Sequence, residues 1–159
     1  MRLVDYYYNN APDDSGRLLS EAWAMTDAAL ERTHTLIQYL FPLPERSTAQ
    51  PRSPVLTPEE LERFRTDPVL LDNVRISLGR LRDFYTRTAW WTRASDHNHL
   101  RITRILRCLT LFGLHAEAAE FHAWLLEQDT LVSERSRWFW REALSENPAF
   151  LGSDTRPPT

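Results

Sequence analysis

The segment from His97 to Phe112 constrains this chain more than any other. Wound as a helix at about 100° per residue, it places Ile102, Ile105, Leu106, Leu109 and Phe112 on one broad face. Leu100, Cys108 and Leu111 fall in a second, nearly opposite sector. Only Thr103, Arg107 and Thr110 form a polar strip. A helix apolar on almost every side is a central one, covered by several neighbours. The rest of the chain agrees with an all-α fold. It has 4 glycines in 159 residues, and its prolines lie outside the stretches of helical periodicity. A turn-rich β architecture would need more of the first and another placement of the second.

Start and stop signals divide the chain further. Tyr6 to Asp14 reads as an aromatic extended arm and a turn, and residues 18–25 as a short helix. Thr26 and Asp27 cap a helix over 28–41, stopped by Pro42, whose apolar face is Leu30, Ile37, Leu40 and Phe41. A loop with four prolines follows, to Leu56. Thr57-Pro58-Glu59-Glu60 combines a cap, a proline at the first helical position and the glutamate of a capping box. Asp67-Pro68 opens a long helix to about Tyr85, with Leu71, Val74, Leu78, Leu81 and Tyr85 as its core-facing stripe. Trp90 and Trp91 sit in a loop; Ser95 or Asp96 caps the central helix and Gly113 ends it. Two more helices run over 115–127 and from the Ser133 cap to Ser145. The expectation is six or seven helices in a single compact bundle-like domain over 1–147, with a flexible tail over 148–159.

Composition excludes several function classes. The net charge is −3, which speaks against nucleic acid as a partner. A nucleic-acid face built from Arg75, Arg80, Arg82 and Arg87 would need them on one surface, and the helix angle spreads them. All 19 basic residues are arginine, so neither a Schiff-base lysine nor a phosphate-loop lysine exists here. Cys108 stands alone, leaving no internal disulfide and no cysteine-rich zinc site. His97 and His99 are two apart and so on different helix faces, which is poor spacing for one metal; no metal and no cofactor are expected. No stretch reaches the roughly 20 apolar residues of a membrane span, and the start lacks the apolar run of a secretory signal, so a cytoplasmic protein is expected.

One polar constellation stands out. Arg101 and Arg104 lie on the central helix, and a guanidinium there needs acceptors. Arg104 has Leu100 four before it and Cys108 four after, so it is expected to be buried and paired, with Glu31 the first nominee and Asp83 the second, while Arg107 is expected to be exposed. Glu31, His34 and Gln38, spaced three and four along the 28–41 helix, offer a carboxylate, an imidazole and an amide. With His97 and Asn98 they make a cluster of seven: Glu31, His34, Gln38, His97, Asn98, Arg101 and Arg104. It reads either as a pocket for an anionic or peptide group or as an internal network that fixes helix orientation. No nucleophile or oxyanion site is legible beside it, so no catalytic residue is named.

Two stretches carry a wider resemblance. They are Leu30 to Glu45, LERTHTLIQYLFPLPE, and His97 to Leu106, HNHLRITRIL, running on to Gly113-Leu114. With Tyr7-Tyr8-Asn9 and Phe84-Tyr85, they resemble the conserved region of the opioid growth factor receptor family, over about Tyr7 to Leu125. The resemblance implies an all-helical domain; it does not imply an enzymatic activity. For the animal receptor it implies binding of the pentapeptide Met-enkephalin and a nuclear, growth-inhibiting role. The expected function is a non-catalytic binding module that recognises a peptide or protein segment. The alternative is a sensor or enzyme that uses the Arg/Glu/His cluster on a small anion.

Overall fold

More than half of the chain is α-helical in the computed structural model, which describes residues 2–151. Nine α-helices and no strand occur among the described residues. The described residues pack as two compact units, divided between Phe84 and Tyr85. Two helices exceed the expected number: one forms at the start of the chain, and one expected helix is broken in two.

The first unit begins with α1 (Arg2–Tyr7), where an extended arm was expected. Leu3, Val4, Tyr6 and Tyr7 are all buried, and that burial outweighs the weak helix propensity of three adjacent tyrosines. The segment is too short to show a period of its own. Its backbone is secured from elsewhere: Leu3 N–H donates to Glu60 Oε1 at 3.0 Å, and the Asn73 amide donates to the Tyr7 carbonyl at 2.7 Å. Asn9 then turns the chain at φ 61°, a left-handed geometry that asparagine tolerates.

Helix α2 (Leu19–Trp23) leads to α3 (Asp27–Arg32), capped by Thr26, whose hydroxyl accepts from Ala29 N–H. The helix expected to run on to Phe41 stops at Thr33, and a separate turn, α4 (Ile37–Leu40), follows. Thr33 leaves helical geometry at ψ 89° and returns its hydroxyl to the Ala29 carbonyl at 2.7 Å. Two β-branched threonines close together, Thr33 and Thr35, favour such a break. Helix α5 (Pro58–Thr66) has the expected capping box, with Thr57 accepting from Glu60 N–H and Glu60 accepting from Thr57 N–H. Helix α6 (Pro68–Arg87) follows, and Asp67 accepts from Val69 N–H at 2.9 Å. Its buried stripe is Leu70, Val74, Ser77, Leu81 and Phe84, turned slightly from the expected one, since Leu71 and Leu78 are only half-buried. Ser77 is wholly buried because its hydroxyl meets both Tyr7 Oη, at 3.1 Å, and the Trp23 indole N–H, at 2.9 Å.

In the second unit, Trp91 lies in a short 3-10 turn over Trp90–Thr92 and donates its indole N–H to the Tyr85 carbonyl at 2.8 Å. Helix α7 (His97–Leu111) is the central element, with α8 (His115–Glu127) and α9 (Glu134–Ala143) packed on it. It ends as expected. Gly113 is left-handed at φ 79°, Gly113 N–H donates to the Thr110 carbonyl and Leu114 N–H to that of Leu109, the paired bonds of a Schellman motif. Of the expected tail, residues 148–151 are described: Pro148 is buried and Phe150 rests on Phe139 with ring centres 5.6 Å apart. The remainder, 152–159, lies outside the described residues. Among the described residues, no helix is long and apolar enough to cross a membrane.

Candidate functional site

The seven cluster residues fall in both units. In the first, Glu31 lies half-buried in the last turn of α3 and His34 sits exposed in the break. Gln38 is 6% exposed, and its amide, oriented as the surrounding acceptors require, donates its nitrogen to the carbonyls of His34 and Thr35 at 3.0 and 2.9 Å. The continuous helix that was to align these three residues on one edge does not exist. Gln38 instead closes the turn that replaces it.

The other four occupy the first two turns of α7. Asp96 caps the helix, one carboxylate oxygen accepting from Asn98 N–H at 2.9 Å and from the Asn98 side chain at 2.8 Å. The Asn98 carbonyl oxygen accepts from Arg101 at 3.4 Å. Asn98 and Arg101 are 0% and 7% exposed, so this chain of three points inward. His97, with Nδ1 3.8 Å from the Asp96 carboxylate, is 42% exposed. Arg104 is half-buried.

Between His97 and Arg104 stands Leu100, 67% exposed and one of the most open large apolar side chains of the chain. His97, Leu100 and Arg104 are spaced three and four and form one outward stripe. The expectation placed Leu100 in a buried sector and Arg107 on an exposed polar strip, and the structure reverses both. Arg107 is 6% and Thr110 5% exposed. The reason lies in α9. Residues 99, 103, 107 and 110 share one face of α7, and α9 packs there. The threonines suit that burial because each returns its hydroxyl to its own helix: Thr103 to the His99 carbonyl at 3.0 Å and Thr110 to that of Leu106 at 2.8 Å. Arg107 reaches the Glu146 carbonyl, just beyond α9, at 3.5 Å.

His99 anchors this face. Its Nε2 lies 2.7 Å from the Trp91 carbonyl, which can only accept, so Nε2 carries a hydrogen. Its Nδ1 lies 2.8 Å from Ser136 Oγ on α9, which donates to it in the neutral ring. With both nitrogens engaged, His99 is a structural tie between the 3-10 turn, α7 and α9. From sequence, His99 is weighed only as a metal ligand; its spacing of three to Ile102 and seven to Leu106 is the signal that could have marked it as buried. Its partners, 8 and 37 residues away, left no local trace. Elsewhere in this unit, burial, reinforced by the Arg141 charge, lowers the pKa of half-buried His122.

Comparison with curated proteins and with solved structures returned no match. A family model described as the opioid growth factor receptor conserved region matches residues 4–90 and, in a second, overlapping segment, residues 78–146. Those segments take in the capped helices of the first unit and the α7–α9 core of the second. The chain therefore belongs to the opioid growth factor receptor conserved-region family.

Proposed function

We propose that this chain is a non-catalytic binding module that recognises a peptide or protein segment through the outward stripe of α7. The observation that carries the reading is Leu100. Leu100 is 67% exposed on a helix with ten buried residues, so most of its apolar surface faces solvent. Lines of an apolar side chain between two basic ones suit a partner with an apolar anchor flanked by carboxylates. The inward polar groups support binding over catalysis. Asn98 and Arg101 are bonded to each other and Asn98 to the cap, an arrangement that stiffens the helix beneath the stripe. The family description adds that this conserved region is named for an opioid growth factor receptor.

The test is selection from a random peptide library displayed on phage, followed by fluorescence anisotropy with the enriched peptides and with labelled Met-enkephalin. Enrichment of sequences with an apolar residue between acidic ones, lost in Leu100→Asp and weakened in Arg104→Ala, is the expected result. Peptides that bind Leu100→Asp as well as the parent chain would refute the assignment to this stripe.

A further inference from the structure

Helix α6 carries Gly79 at a position where nothing in the chain calls for a glycine. A Cβ built there meets no atom of the described residues within 4 Å, and the backbone is not left-handed. Glycine is the poorest helix former after proline, so an exposed interior glycine is a local loss. What it offers in return is close approach by another backbone, because helix separation depends on the side chains at the crossing point.

The residues around Gly79 indicate what approaches. Arg75 lies four before it and Asp83 four after it, on the same exposed face. Val69 and Ile76 flank that face at 55% and 48% exposed. We propose that this face is a self-association surface on which the α6 of a second copy of the chain packs antiparallel, crossing at Gly79. In that arrangement Gly79 meets its own counterpart. Arg75 of each copy faces Asp83 of the other, so the same ion pair forms at both ends of the crossing. The two Ile76 side chains lie next to each other along one flank. Arg75 is already turned along this face by Asp72, 2.7 Å away. A pattern that complements itself under a two-fold rotation is what an isologous dimer needs, and antiparallel helices also oppose their dipoles favourably. The contact spans about four helical turns, at the small end of specific interfaces, so the association is of micromolar strength or weaker.

Sedimentation velocity, from micromolar to near-millimolar chain, tests this directly. The parent chain is expected to shift from monomer to dimer with concentration. Arg75→Asp and Asp83→Arg each place like charges at both contacts and should raise the dissociation constant roughly tenfold or more. Mixed in equal amounts, the two variants restore opposite charges and should associate again as a heterodimer. Gly79→Leu should abolish association while its melting temperature holds or rises, separating loss of the contact from loss of the fold. A chain that stays monomeric throughout overturns the proposal. So does a dimer indifferent to both charge reversals, or a mixture that associates no better than the single variants.

Discussion

The indole N–H of Trp140 donates to the backbone carbonyl of His99 at 3.1 Å, while the two rings meet edge to face with centres 5.6 Å apart. One residue pair thus joins α9 to α7 through a hydrogen bond and an aromatic contact at the same point. Because the His99 side chain also holds Ser136 and the Trp91 carbonyl, three elements of the second unit converge there.

Removing that convergence should be costly. His99→Phe keeps a ring against Trp140 but strands the buried Trp91 carbonyl. A loss of about 2–4 kcal/mol in urea unfolding is expected. Ser136→Ala removes one bond of the set and should cost about 1 kcal/mol. Equal effects for the two variants would show that the Trp91 contact contributes nothing.

The reversal between Arg104 and Arg107 gives a second comparison. Arg107→Ala empties a site 6% exposed against α9 and should destabilise by about 2–3 kcal/mol. Arg104→Ala, on the half-buried stripe, should stay within about 1 kcal/mol. Urea midpoints in the opposite order would mean that α7 is rotated from the arrangement described.

Two tyrosines of the first unit predict alkaline instability. Burial, aided by a hydrogen bond to Asp14, pushes the Tyr39 phenol up to about 12, and burial next to the Asp13 charge raises Tyr6 as well. A phenol whose folded pKa exceeds its unfolded value of about 10 keeps its proton in the folded state while the unfolded chain has lost it. The stability it contributes is complete below about pH 10 and falls as pH rises toward 12. Unfolding free energy measured against pH should decline across that window, and less steeply in Tyr39→Phe. Tyr6 adds a contrast: its hydroxyl is buried without a hydrogen-bond partner among the described residues, so Tyr6→Phe should be neutral or stabilising by up to about 1 kcal/mol at neutral pH.

Glu60 joins a local signal to a distant one. Besides its capping-box bond to Thr57, its carboxylate accepts from Leu3 N–H in α1. Thr57→Ala should cost about 1 kcal/mol, as caps do. Glu60→Ala abandons two backbone donors and should cost about 2–3 kcal/mol, with faster hydrogen exchange in α1. If exchange in α1 is unchanged, the Leu3 bond does not secure that helix.

The sequence by itself determined the all-α class and most helix ends. Thr26, Thr57, Asp96, Ser133 and Gly113 act on donors and carbonyls within four residues of themselves, so their chemistry is readable in order along the chain. It also marked the start of α7 as a place where amide, imidazole and guanidinium gather. Tertiary structure decided the rest. Six residues became α1 because Leu3, Val4, Tyr6 and Tyr7 found cover. Above all, the facing of α7 was not legible. A helix apolar nearly all round has no pattern that says which side stays open, and only the packing of α9 against His99, Thr103 and Arg107 left Leu100 at the surface.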